Sequence, residues 1–231
     1  MKIMSKNFCF KILISIFILI YFFNISHSNP ITAWEKAAPS VVSVLPTWPG
    51  FKKPGFGAPP GTAPEGTGIV ISSLGHILTA SHVVKKAKSI EIRDINGNKF
   101  IAKLILDDPN TDLAIIKAEI DITPINISKD KPKIASSACL ISNSFGLDLG
   151  ITCGVVSAIG RKNTGFNKIE NFVQTDAAAN PGSSGGALVN KNGELIGMMS
   201  GIFTKNTDTN SGVNFAVSSE LILEIIQLEI N

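Results

Sequence analysis

Short β-branched runs bounded by turn residues recur along most of the chain. Val41–Leu45, Gly68–Ile71, Ser89–Arg93 and Leu113–Ile116 form a first series. Cys139–Ser142, Thr152–Val156, Phe172–Thr175, Leu195–Met198 and Val213–Val217 form a second. Alternating and continuous β-branched stretches of this length read as strands, and many short strands with Gly-rich turns indicate an all-β barrel or sandwich. Ile120 to Lys133 holds no strong strand signal, so the boundary between two β-lobes is predicted near residue 125. At the C-terminal end the period changes. Ser218, Ser219 and Glu220 precede Leu221, Ile222, Leu223, Ile225, Ile226 and Leu228, which predicts a Ser-capped helix over about 218–230 docked on the lobes.

Two stretches depart from this pattern. Pro46 to Gly66 holds six Pro and five Gly in 21 residues, which excludes it from a central sheet and marks a long functional or mobile loop. Ile12 to Ile25 holds 12 apolar residues in 14, preceded by Lys2, Lys6 and Lys11 and followed by Ser26-His27-Ser28. A basic start, a short apolar run and a small-x-small site read as a secretory signal peptide over 1–28, with an uncleaved anchor as the rival. Without that leader 18 basic residues face 18 acidic ones. A formally neutral chain lacks the cationic excess that nucleic acid binding needs. Cys9 leaves with the leader, so Cys139 and Cys153 remain as an even pair for an oxidising compartment. At 231 residues the chain can bury about 70% of its unfolded surface and needs no structural metal.

Candidate chemistry begins at Asn180-Pro181-Gly182-Ser183-Ser184-Gly185-Gly186. Alone, this reads equally well as a flexible Gly/Ser turn. Its glycines also let backbone amides converge on one point, as acyl transfer requires for the tetrahedral oxyanion. The donors would be the amides of Gly182 and Ser184, with Ser184 as nucleophile. The string also satisfies the nucleophile-elbow pattern of α/β-hydrolases, but there the acid and the His follow the Ser. Here His27, His76 and His82 all precede Ser184, and the strand-rich pattern opposes that fold. His27 leaves with the leader, and His76, opening a strand after a turn, reads as structural. His82 sits where a strand ends, in Leu78-Thr79-Ala80-Ser81-His82-Val83-Val84. Asp112, just before the apolar run Leu113–Ile116, can orient an imidazole and stabilise its cation, with Asp107 and Asp108 as neighbouring competitors. The chain order His82, Asp112, Ser184 is that of the two-barrel serine proteases.

These stretches resemble the HtrA/Deg family of trypsin-like proteases. The match runs through Glu65–Val70, Gly75–Thr79, Ser81–Val84, Asp112–Lys117, Ser144–Leu147 and Gly154–Ser157, and is strongest over Val173–Gly182 leading into Ser184. It covers about residues 33–230. The resemblance implies two six-stranded antiparallel β-barrels (about 33–125 and 126–217) with a triad in the cleft between them and a C-terminal helix. It also implies that Pro46–Gly66 stands in the place of the first barrel's long regulatory loop. The family usually has Asn where Ser183 stands and Pro where Ala187 stands; neither change removes a triad atom or an oxyanion amide. Ser183 cannot make the ion pair that activates digestive relatives after zymogen cleavage. The family usually appends PDZ domains after the helix, whereas the sequence stops at Asn231.

The expected function is thus an exported, periplasmic serine endopeptidase acting on unfolded or damaged proteins, with His82, Asp112 and Ser184 catalytic. Ala177, Ala178 and Ala179, just upstream of the nucleophile, are expected to floor an uncharged primary pocket, with Asp176 facing elsewhere. The chemistry needs no cofactor, and the sequence shows no metal-site spacing. A non-hydrolytic chaperone or peptide-binding module on the same fold, and an esterase, are the alternatives. The family is often trimeric, and Trp34 or Trp48 could serve such an interface or simply pack. Cys139 and Cys153 flank a predicted hairpin turn, so they either face each other as a disulfide or stand as separate buried thiols.

Overall fold

The protein is described by a computed structural model over residues 30–48, 65–202 and 210–229. The predicted leader, with Cys9 and His27, and most of the Pro46–Gly66 stretch lie outside the described residues. Among the described residues, twelve strands close into two six-stranded antiparallel barrels. The first contains β1 (Val41–Thr47), β2 (Gly66–Val70), β3 (His76–Ala80), β4 (Ser89–Arg93), β5 (Lys99–Asp108) and β6 (Leu113–Ala118), in the spatial order β1-β2-β3-β6-β5-β4. The second contains β7 (Ser137–Ser142), β8 (Gly150–Arg161), β9 (Phe172–Thr175), β10 (Ala187–Val189), β11 (Leu195–Ile202) and β12 (Asn214–Ser218), in the order β10-β11-β12-β9-β8-β7. Closure removes the open sheet edges, so each backbone ladder finds a partner on both sides.

The side chains explain why two barrels form one body. Strand residues alternate faces, so a strand buried on one face needs a hydrophobic residue at every second position. In β7, β10 and β12 both faces are apolar. Ala138, Leu140, Leu188 and Ala216 belong to one core cluster. Cys139, Ile141, Ala187, Val189, Phe215 and Val217 belong to another, which continues into Ile69, Ile77 and Ile115 of the first barrel. The Leu, Ile, Val and Phe side chains among them each contribute about 1.5–3 kcal/mol when fully buried. The connection 119–136 carries only an isolated bridge, Ile127 to Leu195.

Three elements escape the strand reading. Helix α1 (Pro30–Ala37) is short, with Ala33 and Ala37 buried against the core. Strand β5 carries a bulge between Leu104 and Leu106, which breaks its alternation and leaves Leu104 and Ile105 exposed, while Ile101 before it lies on the outward face. Strand β10 has only three residues, hidden directly behind the Gly-rich turn. A helical turn, α2 (Ser81–Val84), follows β3. The C-terminal helix α3 runs Ser219–Glu229, and its cap is as predicted: Ser218 Oγ accepts the Leu221 N–H at 3.2 Å.

Cys139 and Cys153 lie directly opposite each other on β7 and β8, 4.1 Å apart at Cα, and are joined as a disulfide. Of the two alternatives, the bonded pair is the one present.

Candidate active site

His82, Asp112 and Ser184 converge from three separate segments. His82 is delivered by α2, because β3 ends at Ala80 and the chain turns there; the Ser81 N–H donates to the Asp112 carbonyl at 3.0 Å. Asp112 sits at φ 62°, a left-handed conformation that Asp tolerates better than most residues, just before β6. Ser184 lies in the turn that precedes β10. Here Gly185 at φ 85° takes a position where a Cβ would run into the Thr67 carbonyl.

The three side chains form one hydrogen-bonded line. His82 Nδ1 lies 2.9 Å from both Asp112 carboxylate oxygens, and His82 Nε2 lies 2.9 Å from Ser184 Oγ. An imidazole protonated on Nδ1 donates to Asp112 and leaves Nε2 to accept the Ser184 hydroxyl. The His82 backbone N–H also donates to Asp112 Oδ1 at 3.0 Å. Exposure is graded along the line, with the His82 side chain 42% exposed and that of Asp112 only 11%. Burial by itself pushes the Asp112 carboxyl up. The hydrogen bond and charge of His82, the Ser200 hydroxyl and the His82 amide outweigh it and hold the carboxyl below its ordinary range. The competing carboxylates have other partners: Asp107 accepts from Ser81 Oγ at 2.5 Å, and Asp108 from Thr111 Oγ1 at 2.6 Å. His76 is half-buried and bonded to Ser72 Oγ through Nδ1 at 2.8 Å, in keeping with a structural role.

The nucleophile turn is tied to the first barrel. Thr67 N–H donates to the Ser184 carbonyl at 2.9 Å, and Thr67 Oγ1 donates to the Gly182 carbonyl at 2.8 Å. Among the described residues, no carbonyl accepts from the amides of Gly182 or Ser184. Ala177 and Ala179 are fully buried in the second barrel's core cluster, while Ala178 is half-buried. The Asp176 carboxylate accepts the Val155 N–H at 2.7 Å, which engages it with the β8 rim.

Two residues of the site were given no role by the sequence. Ser200, on β11, donates to Asp112 Oδ2 at 2.6 Å across 88 residues of chain. Thr67 was one letter of a matching motif, and its bridging role appears only when the barrels meet. A cleft of about 200 Å³ beside His82 and Asp112 is lined by Lys85, Pro109, Phe166, Asn167 and Ser200. Larger cavities, such as one of about 300 Å³ between α3 and Lys129–Pro132, hold no comparable set of groups. No group of three or more metal-ligating side chains gathers among the described residues.

Comparison with known proteins agrees with this geometry. Residues 66–198 match the model of the trypsin-like peptidase domain. The periplasmic serine endoprotease DegP of Salmonella typhimurium is 40% identical over 161 residues, covering 68% of this chain and 34% of that protein. The periplasmic pH-dependent serine endoprotease DegQ of Escherichia coli K12 is 39% identical over 166 residues, covering 70% and 36%. The match therefore spans about a third of the length of these curated relatives. Among solved structures, the HtrA-type protease AlgW with tripeptide superposes with a TM-score of 0.78 at 34% identity, covering 86% of this chain and 62% of that one. The barrels, the convergent Ser, His and Asp, and these matches lead to one conclusion: the chain belongs to the trypsin-like peptidases, in their HtrA/Deg group.

Proposed function

We propose that the chain is a serine endopeptidase that works through Ser184, His82 and Asp112. The observation that carries this reading is the unbroken line of 2.9 Å contacts from Asp112 through His82 to Ser184, beside two unengaged amides. Ser184 Oγ attacks the scissile carbonyl carbon while His82 Nε2 takes its proton. The Gly182 and Ser184 amides receive the oxyanion, and Asp112 stays ionised to stabilise the imidazolium. Collapse of the tetrahedral intermediate passes the proton from His82 to the leaving amine. Water, deprotonated by His82, then attacks the acyl carbonyl, and His82 passes that proton to Ser184 Oγ as the acid product leaves. We extend to this chain the periplasmic location in its relatives' names, with unfolded or damaged proteins as substrates.

Specificity follows from the pocket floor. Ala178, the one of the three alanines that is not fully buried, offers no carboxylate, nor do Ala177 and Ala179 behind it, and that of Asp176 is bonded to the Val155 amide. A Lys or Arg head group buried there would stay unpaired, at a cost of several kcal/mol. Aliphatic side chains gain about 0.8 kcal/mol per buried methylene. Cleavage after Val, Ala, Ile or Leu is expected, and a peptide library showing dominant cleavage after basic residues overturns the pocket assignment.

Casein degradation by the mature chain and by Ser184→Ala tests the activity, with about a 10⁶-fold loss of turnover expected for the variant. Substantial proteolysis by Ser184→Ala overturns the nucleophile. An inactive wild-type chain that still suppresses aggregation favours the chaperone alternative, and hydrolysis of esters without peptides favours the esterase. Sedimentation of the same samples distinguishes a trimer from a monomer.

A further inference from the structure

Ser183, between the two proposed oxyanion donors, is 1% exposed, and its hydroxyl is not idle. Ser183 Oγ lies 3.0 Å from Ser142 Oγ and 2.9 Å from Ser144 Oγ, which are themselves 3.3 Å apart. It also accepts the Asn180 N–H at 3.1 Å. Three hydroxyls and an amide thus join the nucleophile turn to the end of β7 and the 3₁₀ turn Ser144–Gly146 that follows it.

That turn holds the peptide plane that matters. Phe145, at φ 59°, directs its N–H to the Pro181 carbonyl at 2.6 Å. A trans peptide is planar, with its carbonyl and N–H pointing in opposite directions. Fixing the Pro181 carbonyl on the Phe145 side therefore aims the Gly182 N–H away from it. The approach is close: a Cβ on Gly182, at φ 95°, would collide with the Asn143 carbonyl and come within 3.0 Å of Phe145 N. The far side of the turn is anchored as well. Asn143 N–H donates to Thr67 Oγ1 at 2.9 Å and Asn143 Nδ2 to Glu65 Oε2 at 2.6 Å. Arg93 Nη2 pairs with Glu65 at 3.1 Å and with Asp148 at 2.5 Å.

We propose that Ser183, with Ser142 and Ser144, is a positioning residue for the oxyanion site: the buried hydroxyl cluster clamps the Ser144–Gly146 turn so that Phe145 fixes the direction of the Gly182 amide. The proposal rests on the peptidase reading above. Ser142 and Ser183 are buried and Ser144 is half-buried, so removal of these hydroxyls is expected to act on the transition state through Gly182 and to leave ground-state binding alone.

The test compares wild type, Ser183→Ala and the milder Ser144→Ala on one aliphatic peptide substrate. Affinity for a peptidyl trifluoromethyl ketone, whose adduct carries an oxyanion, is measured beside kcat and KM. Ser183→Ala should lower kcat roughly 10- to 100-fold, less than outright removal of an oxyanion donor. KM should change by less than about twofold, and inhibitor affinity should fall by the same factor as kcat. The low-field proton resonance of His82 Nδ1 should persist, reporting an intact His82–Asp112 pair. Ser144→Ala should give the same pattern at smaller size, and it carries the test if Ser183→Ala does not fold. Unchanged kcat and inhibitor affinity in the folded variants overturn the clamp alone, as does a loss accompanied by raised KM or a vanished His82 resonance. A wild-type chain without Ser184-dependent hydrolysis overturns the peptidase reading and the clamp with it.

Discussion

Asp112 concentrates the chemistry of the site in one carboxylate. It accepts from the His82 ring, the His82 amide and Ser200, and these bonds overcome the burial that would favour its neutral form. A carboxyl whose folded pKa lies below its unfolded value contributes stability that is complete above about pH 4 and is lost as pH falls through the folded value. Asp112→Asn mimics the protonated acid. Urea unfolding should therefore show wild type more stable than this variant near pH 6, with the gap closing as pH falls from about 4 downward. A gap that is constant or widens toward acid would show that the site does not favour the carboxylate. Turnover of the same variant should drop by about 10⁴ at neutral pH, because the amide stabilises the wrong imidazole tautomer. His82, Asp112 and Ser184 were legible because their chain order and flanking residues are local signals. Ser200 was not, since a Ser within an apolar strand looks the same whether or not a carboxylate of the other barrel meets it.

The hairpin β7–β8 is the element on which the site most depends. Its tip carries Ser144 and Phe145, and its strands are joined by Cys139–Cys153 in direct register. The predicted turn over Phe145–Gly150 made that pairing conceivable, but a one-residue slip would have sent the two thiols to opposite faces. A cross-link over 14 residues limits the unfolded ensemble, and a loop of this size corresponds to about 3 kcal/mol. Reduction should lower the unfolding free energy by about that amount in denaturant titrations. Mass spectrometry of the unreduced protein should find no free thiol at these positions; two free thiols would exclude the bond. The neighbouring loop 162–170 is held differently. Glu170 accepts from the Thr164 amide and hydroxyl and from the Phe166 and Asn167 amides, and Asn167 Nδ2 in turn donates to the Thr111 carbonyl beside Asp112.

The two barrels share a core cluster that runs from Ile69 and Ile115 to Ile141, Phe215 and Leu221, and Thr67 bonds directly to the nucleophile turn. Neither barrel keeps its apolar faces covered if the other leaves. Thermal unfolding followed by calorimetry should consequently show one transition, with equal calorimetric and van't Hoff enthalpies. Two resolved transitions would mean that the inter-barrel contacts contribute little to cohesion.

Strand content, the C-terminal helix with its Ser218 cap, and the candidate nucleophile, base and acid were all set by local order along the chain. β-Branched runs, a capping Ser and a Gly-flanked Ser each carry their meaning within a few residues. Strand β5 was obscured because its bulge breaks the period on which such reading depends, and β10 because three residues are too few to show one. The disulfide register, the Ser200 and Thr67 bonds and the Ser142–Ser144–Ser183 cluster were decided only by tertiary structure. Each joins groups 14 or more residues apart, apart from the Ser142–Ser144 contact that the turn itself brings near. Such contacts depend on barrel closure, which turns many weak alternations into one arrangement and alone determines which hydroxyl meets which partner.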